Sequence, residues 1–391
     1  MFVRQAINKV LSLANVFPVI TLYGPRQSGK TTLVKHLFPS KPYINLELPT
    51  SRDLISRDVK TFLANHQKGC IFDEIQRMPE LLSYIQVMVD ESSIMGQFIV
   101  TGSHQLLLQN HVSQSLAGRT AIFNLYPLSS YELKENHIDI SVDEQIYKGS
   151  YPALYTRNID SKDFYISYIQ TYLERDVREI INVKDLNLFR KFIIMLAARV
   201  GSVINIDSIS NDVGVSGHTI KNWLSVLEAS FLIYTLTPFF ENIGKRLIKS
   251  PKIYFTDTGL LCNLLSIENV EEIGITKYRG CLFENLVIME LIKYLSNNGI
   301  VTNLNLYFYR DSSQKEIDLI YRKSGKFYPI EIKSTATFTS SLLDNIEYYY
   351  ELVGDKAPFG FLVYNGESTK VGKTYLVNYS DMKFIYDQLV E

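Results

Sequence analysis

The chain has 391 residues, of which 46% are hydrophobic and 21% are charged. This length exceeds an ordinary single domain of about 100–200 residues, and the composition excludes a disordered or low-complexity chain. Because 40 basic residues nearly balance 41 acidic ones, the whole protein has no net field that would attract nucleic acid or an anionic membrane, and any basic contact surface must be local.

The cysteines and the hydropathy pattern bear on the compartment. Cys70, Cys262 and Cys281 are far apart and have no CxxC spacing, which fits neither a disulfide framework nor a zinc site. No run reaches the ~18 apolar residues that a membrane span needs, and the N-terminus lacks a signal-peptide pattern. We therefore expect a cytoplasmic protein with no membrane partner.

Along the chain, the first zone runs from Val3 to about Ser130 and alternates apolar β-rich runs with helical stretches. The apolar runs are Pro18–Tyr23, Tyr43–Leu48, Cys70–Phe72, Phe98–Thr101 and Ala121–Leu125. This rhythm predicts a parallel α/β sheet. The following zone, to about Val183, is predicted to be mostly helical with a break at residues 149–152, and is expected to form a lid or linker.

A phosphate-binding motif follows the first predicted strand. Residues 24–31 read GPRQSGKT and satisfy GxxxxGK[ST], with a predicted helix directly after them. The glycines let backbone amides curl around phosphate oxygens, Lys30 supplies a mobile charge, and Thr31 places its hydroxyl on Mg²⁺. The residues predicted to bind the nucleotide are Gly24, Pro25, Arg26, Gln27, Ser28, Gly29, Lys30, Thr31, Thr32 and, from a later strand, Ser103.

Two acids follow the strand predicted at Cys70–Phe72. Asp73 is expected to hold the metal together with Thr31, and Glu74 to orient and deprotonate the attacking water, which favours hydrolysis over kinase chemistry. With one intervening strand at Tyr43–Leu48, these acids resemble the Walker B box of the additional-strand class of NTPases.

Three more polar residues, on either side of the last two predicted strands, are candidates for sensing the nucleotide. Thr101 and Ser103 follow the next strand, where either side chain could sense the γ-phosphate, and a simple turn is the alternative. Arg119 precedes the last strand and is a candidate catalytic arginine finger or sensor, acting in cis or across a subunit boundary. A trans role would imply a homo-oligomer, and a solvated arginine at a helix end is the alternative.

Several stretches together resemble a known family. They are GPRQSGKTTL at residues 24–33, Asp73-Glu74, Thr101-Gly102-Ser103, Ser115–Arg119 with Pro127-Leu128-Ser129, and Tyr172–Val177. They are similar to the prokaryotic AAA-type ATPases, in particular the group whose C-terminal half joins a winged helix to a restriction-endonuclease-like domain. The resemblance covers essentially the whole chain. No chemical role follows for residues 174–177, and for Arg175 and Asp176 we expect a structural pairing with the ATPase core.

The segment from Ile206 to Leu224 has the pattern of a helix-turn-helix motif, with a turn at Gly214 and a second helix capped near Ser216. Two strand-like runs follow, which predicts a winged helix. The stretch between Asn242 and Thr256 has no acid and four basic residues suited to phosphate contact by the wing, namely Lys245, Arg246, Lys249 and Lys252. The second helix carries one lysine, Lys221, so DNA binding and a scaffolding role both remain open.

The last zone contains two carboxylates beside a lysine on a predicted hairpin. Glu331 and Lys333 share one face of a strand, and Asp318 can meet them from the neighbouring strand, with Glu284 added from an upstream helix. Such a set suits metal-assisted phosphodiester cleavage, in which Glu284, Asp318 and Glu331 hold Mg²⁺ and Lys333 positions or deprotonates water. It resembles the PD-(D/E)xK nuclease signature, with Ile317 in place of proline. A solvated polar strand face is the alternative.

The expected fold is α/β. A P-loop NTPase parallel sheet with a helical lid spans residues 1–185, a winged helix-turn-helix spans 186–258, and an α/β restriction-endonuclease-like domain spans 259–391. The predicted function is ATP hydrolysis by an AAA-type protein that acts on DNA and carries a candidate nuclease domain, with ATP and Mg²⁺ as cofactors. The alternative is a regulatory ATPase switch whose two C-terminal domains bind partners or nucleic acid without cleaving.

Overall fold

In the computed structural model, which describes residues 2–103, 115–172, 185–239 and 250–390, the chain begins with a five-stranded sheet. Its strands are β1 (Val19–Tyr23), β2 (Tyr43–Asn45), β3 (Ile71–Asp73), β4 (Phe98–Gly102) and β5 (Thr120–Asn124). All neighbours are parallel and the order is β2-β3-β4-β1-β5. The predicted parallel α/β sheet is confirmed, and it has the arrangement of a P-loop NTPase core.

Burial explains why the central strands are continuously apolar. Every residue of β1 and β4 is buried, as expected where helices cover both faces of a parallel sheet. The covering helices are α1 (Ala6–Ala14), α2 (Lys30–Leu37), α3 (Pro49–Arg57), α4 (Val59–Ala64) and α5 (Leu81–Asp90). The strand predicted to reach Leu48 ends at Asn45, because the Asn45 side chain accepts a hydrogen bond from the Glu47 amide at 2.8 Å and turns the chain.

Helices continue after β5, as predicted for the lid. They are α6 (Ser130–Glu135), α7 (Val142–Lys148), α8 (Ala153–Thr156) and α9 (Ser161–Tyr168). The predicted break falls at Gly149, whose φ of 73° ends α7. The motif residues 173–177, including Arg175 and Asp176, lie outside the described residues.

A second unit contains the predicted helix pair and hairpin. Its elements are α10 (Leu186–Ala197), α11 (Ile206–Val213), α12 (Gly217–Ala229), β6 (Ile233–Leu236) and β7 (Lys252–Phe255). Gly214 ends α11 with a φ of 89°, and the Ser216 hydroxyl caps α12 by accepting from the Thr219 amide at 3.1 Å. The predicted turn and cap are confirmed, and β6 and β7 pair antiparallel.

A third unit has its own mixed α/β sheet. Its elements are α13 (Thr258–Leu264), α14 (Val270–Ile275), α15 (Arg279–Asn297), β8 (Leu306–Arg310), β9 (Glu316–Lys323), β10 (Lys326–Ile332), α16 (Asp344–Val353), β11 (Gly360–Tyr364), β12 (Thr369–Val371), β13 (Thr374–Asn378) and α17 (Met382–Val390). The strand order is β12-β13-β11-β10-β9-β8. The predicted succession of helix, three strands, helix and strand is confirmed by α15 through β11.

The long helix α15 ties the third unit to the first. The buried Lys293 ammonium donates to the Leu128 carbonyl at 3.0 Å and to the Ser150 hydroxyl at 2.8 Å, while Glu290 accepts from the Ser130 amide at 2.5 Å. Polar groups this deeply buried are stable only when paired, so these bonds fix the two units against each other. Among the described residues, no helix is both long and apolar enough to cross a membrane.

Candidate functional site

The phosphate-binding motif forms the connection between β1 and α2. Gly29 has a φ of 96°, in the left-handed region that glycine adopts without strain. A Cβ atom on Gly24 would lie 2.1 Å from the Leu125 carbonyl oxygen, so only glycine fits where the loop crosses the end of β5. Both glycines of the motif are therefore required by the backbone.

Lys30 is held inside this loop. Its ammonium donates to the carbonyl oxygens of Gly24 and Pro25, each at 2.9 Å, and only 4% of the residue is exposed. Burial lowers the pKa of Lys30, an effect that the nearby carboxylates of Glu74 and Asp73 partly offset. An ammonium so poorly solvated gains strongly from anionic oxygens placed in the loop.

Asp73 is the centre of a hydrogen-bond cluster at the carboxyl end of β3. Its Oδ2 accepts from the Thr31 hydroxyl at 2.9 Å and from the Tyr43 hydroxyl at 2.5 Å, and its Oδ1 accepts from the Thr101 hydroxyl. The two predicted metal ligands, Thr31 and Asp73, are thus brought together. A hydroxyl and a carboxylate oxygen are suitable donors for Mg²⁺, and Thr101 is engaged in orienting Asp73.

Glu74 lies beside this cluster with its backbone in the left-handed region, at a φ of 58°. Such a conformation costs a non-glycine residue about 1–3 kcal/mol and is concentrated at functional sites. Its Oε2 accepts from the Ser103 hydroxyl at 2.9 Å and from the Gln76 amide. Burial alone would raise the pKa of Glu74, but Lys30 and these two hydrogen bonds outweigh burial and hold the pKa below its usual value. Glu74 is therefore an ionised carboxylate able to accept a proton.

The loop forms one wall of a cleft of about 910 Å³, large enough for a nucleotide. Gln27, Thr32 and Glu74 line it, and residues of the helical segment after β5, including Pro152 and Arg157, also contribute to the lining. The cationic side chains that line the cleft are Arg4, Arg26, Lys30 and Arg157, and the apolar lining includes Phe2, Ile138, Ala153 and Tyr155. The cleft thus offers positive charge next to an apolar surface.

Arg4 supports the loop from below, and no sequence motif signals it. Its guanidinium donates to the Ser28 carbonyl at 2.9 Å, to the Tyr126 carbonyl at 2.7 Å and to Glu132 at 2.9 Å. Only 5% of Arg4 is exposed. One buried guanidinium therefore joins the phosphate-binding loop to the segment after β5 and to α6. Tyr43 and Arg157 likewise carry no sequence signal, because the fold alone brings Tyr43 to Asp73 and Arg157 to the cleft.

Arg119 lies at the amino ends of the strands, opposite the end at which the phosphate-binding loop lies. The Arg119 carbonyl accepts a hydrogen bond from the Val19 amide at 3.2 Å, which places Arg119 beside the first residue of β1. The phosphate-binding loop follows the last residue of β1. At ~3.3 Å per residue, the two ends of this strand are about 13 Å apart. The Arg119 guanidinium pairs with the exposed Asp90, with Nη2 donating at 2.8 Å. This position disfavours action in cis, and a trans role stays a prediction.

A second polar cluster lies in the third unit, where the fold brings three predicted residues together. The Lys333 ammonium is 2.6 Å from Glu331 and 3.3 Å from Asp318, and Asp318 also accepts from the Ile332 amide at 2.9 Å. Burial and the adjacent Asp318 raise the pKa of Glu331 well above its usual value. Glu331 Oε1 is buried and accepts no hydrogen bond from the described residues, so the cluster retains an unused oxygen that a cation could take.

The remaining predicted metal ligand is Glu284. The side chain of Lys252, which its position in the sequence assigns to the wing, lies between Glu284 and Asp318. Lys252 lies 3.2 Å from Glu284 and 2.6 Å from Glu316, and it is 1% exposed. The prediction that Lys252 contacts DNA phosphate from the wing is wrong, because its ammonium is buried among carboxylates. The other wing residues, Lys245, Arg246 and Lys249, lie outside the described residues. Across the described ranges, no group of three His, Cys, Asp or Glu side chains is arranged to hold a metal ion.

Comparison with protein families and relatives gives three matches along the chain. Residues 16–134 match the AAA domain, residues 140–271 a domain of unknown function (DUF8612), and residues 279–381 a second domain of unknown function (DUF4143). The uncharacterized protein Rv2008c of Mycobacterium tuberculosis is 32% identical over 337 residues, covering 85% of this chain and 74% of the relative. An uncharacterized protein of Haemophilus influenzae is 25% identical, covering 83% and 84%. Among solved structures, the Walker-type ATPase PABY2304 of Pyrococcus abyssi is similar, with a TM-score of 0.46, 16% identity and coverage of 68% of this chain and 96% of that one.

Proposed function

This chain belongs to the family of AAA-domain proteins that includes Rv2008c of Mycobacterium tuberculosis, and from that premise we propose that it is a Mg²⁺-dependent ATP hydrolase. The nucleotide would lie in the cleft between the phosphate-binding loop and the lid. The observation that carries the proposal is the contact of Thr31 with Asp73 next to the ionised Glu74. Those three side chains supply the metal donors and the base that hydrolysis requires.

The proposed mechanism begins with the loop amides and Lys30. The Lys30 ammonium exchanges its bonds to the Gly24 and Pro25 carbonyls for phosphate oxygens, where its charge is better compensated. Thr31 and Asp73 would hold Mg²⁺, which supplies neutralisation of phosphate charge. Glu74 orients a water molecule and accepts its proton, while Ser103 keeps the carboxylate in place by donating to Oε2.

Removal of Mg²⁺ tests the proposed metal requirement. With excess EDTA, phosphate release from ATP is expected to fall at least about 100-fold, because the phosphate charge is no longer neutralised. Phosphate release is measured with a coupled colorimetric assay, and excess Mg²⁺ added afterwards should restore it. Turnover that continues unchanged in EDTA would exclude the assignment of Thr31 and Asp73 as metal ligands.

For the second unit, we propose a winged helix that binds DNA through α12. His218, Lys221, Asn222 and Ser225 are exposed along one side of this helix, while Ile220, Trp223, Leu224 and Leu227 are buried on the other. An outward row of polar side chains is the surface that base-edge contacts in a major groove require. Lys252 is not part of this surface, since it is buried.

For the third unit, the second candidate function is metal-dependent cleavage of DNA. It is favoured by the convergence of Asp318, Glu331 and Lys333 and by the unpaired Glu331 Oε1. Asp318 and Glu331 would hold the metal, and Lys333 would position water or offset charge. The alternative is a regulatory ATPase in which this unit binds DNA or partners without cleaving.

The domain boundaries that we propose are 1–185 for the ATPase with its helical lid, 186–258 for the winged helix-turn-helix and 259–391 for the restriction-endonuclease-like domain.

Replacement of Asp318 by asparagine separates the two alternatives for the third unit. A nuclease is expected to lose at least about 100-fold of its Mg²⁺- or Mn²⁺-dependent cleavage of plasmid and linear DNA, because one anionic metal ligand is neutralised. Asp355→Asn, at an exposed position of the same unit, is the matched control and should cleave like the unmodified protein. Equal cleavage by D318N, or none by the unmodified protein with ATP present, would favour the non-cleaving alternative.

A further inference from the structure

Lys252 is an internal cation in the carboxylate cluster of the third unit, although it belongs to the hairpin of the second unit. It is the first residue of β7, and its ammonium reaches across to α15 and β9. The distances from Nζ are 2.6 Å to Glu316, 3.2 Å to Glu284 and 3.9 Å to Asp318. Three carboxylates from two elements thus surround one ammonium that is 1% exposed.

The surroundings hold the two carboxylates nearest to Lys252 in position. Glu284 Oε1 also accepts from the Tyr254 hydroxyl at 2.6 Å, and Glu316 Oε2 lies 3.3 Å from Arg310. The Phe308 ring covers the ammonium at 5.6 Å. Burial of a charge is costly unless it is paired and hydrogen-bonded, so this is a built cation site whose cation is a side chain.

A divalent cation would need some of the same oxygens. Mg²⁺ binds oxygen ligands at about 2.0–2.1 Å and carries two charges. The carboxylates of the cluster already face three cationic side chains, Lys252, Lys333 and Arg310, so a divalent ion beside all three would leave excess positive charge. The unpaired Glu331 Oε1 shows that the cluster has an oxygen that Lys252 and Lys333 leave unused. The cluster therefore has oxygen donors for a divalent ion but not enough negative charge for that ion and the Lys252 ammonium together.

We propose that Lys252 is the resident cation of this cluster and that a divalent cation binds there only after the Lys252 ammonium withdraws. The proposal rests on the second candidate function above, in which Asp318 and Glu331 form a cation site. It makes the position of the β6–β7 hairpin a switch for metal occupancy. β6 is itself joined to the third unit, because the Phe239 amide just beyond it donates to the Phe308 carbonyl of β8 at 2.7 Å.

Mn²⁺ binding to nucleotide-free protein, followed by calorimetry and by electron paramagnetic resonance of the free ion, tests this directly. Lys252→Met removes the charge and keeps much of the side-chain volume. We expect this variant to bind one Mn²⁺ at least about tenfold more tightly than the unmodified protein does. The double variant K252M with Asp318→Asn should lose the gain, which assigns the ion to this cluster and not to Asp73. Lys252→Arg, which keeps the charge, should bind as weakly as the unmodified protein.

Two results would overturn the proposal. One is Asp318-dependent Mn²⁺ binding by the unmodified protein with the affinity of K252M, and this comparison stands even if K252M does not fold. The other is a folded K252M, verified by circular dichroism and thermal unfolding, that binds no Mn²⁺ through Asp318. The first result would leave the proposed metal site of Asp318 and Glu331 intact, whereas the second would overturn that site as well. Neither result bears on ATP turnover.

Discussion

Replacement of Lys30 by alanine is expected to lower ATP turnover by about 1,000-fold or more, because the variant loses the one buried ammonium of the phosphate-binding loop. The native ammonium is poorly solvated and donates to the Gly24 and Pro25 carbonyls in its own loop. Phosphate oxygens would compensate its charge much better, so its removal weakens both ATP binding and stabilisation of the transferring phosphoryl group. Fluorescent-nucleotide titration measures the first effect and phosphate release the second.

Lys60→Ala is the matched control for this experiment. Lys60 is exposed in α4 and does not line the cleft, so the same change of residue type there should leave turnover close to that of the unmodified protein. Turnover by K30A at the level of K60A would remove the phosphate-binding assignment.

Replacement of Glu74 by glutamine is expected to separate binding from hydrolysis. The amide is close in size to the carboxylate but cannot accept a proton from water, so turnover should fall about 100- to 10,000-fold. ATP binding should remain within about threefold, because Lys30, Thr31 and the loop amides are unchanged. The left-handed backbone at Glu74 and its bonds to Ser103 and Gln76 are compatible with the amide in one orientation.

Glu80→Gln controls for the effect of the substitution itself, since Glu80 is exposed and does not line the cleft. Equal turnover by E74Q and E80Q would show that another group activates the water. Loss of ATP binding in E74Q, with the fold intact by circular dichroism, would show that Glu74 serves the nucleotide and not the water.

The local features of this chain could be predicted from sequence because each has a short-range physical cause. The loop at residues 24–31 lies between a buried strand and a helix, as the motif requires, and Gly214 and Ser216 end one helix and begin the next. The alternation of side chains along a strand predicted that Ile330 and Ile332 of β10 are buried and that Glu331 lies beside Lys333, and both predictions are confirmed.

Features that depend on distant contacts could not be predicted in the same way. Arg4 joins residues 24, 122 and 128 positions away along the chain, and only the fold reveals it. Lys252 follows a basic stretch, and this composition favoured its contact with DNA phosphate. The fold instead buries its ammonium against Glu284 and Glu316, two residues far along the chain. Arg119 directly precedes β5, and β5 runs parallel to β1, so Arg119 lies at the amino ends of the strands and the phosphate-binding loop lies at their carboxyl ends.

Phosphate release from ATP in Mg²⁺, measured in parallel for the unmodified protein and E74Q at saturating nucleotide, tests the proposed ATPase most directly. The structure predicts steady turnover by the unmodified protein and bound but unhydrolysed ATP in E74Q, since Glu74 is the ionised carboxylate next to the Thr31 and Asp73 pair. Absence of turnover in the unmodified protein, or equal turnover in both, would contradict it.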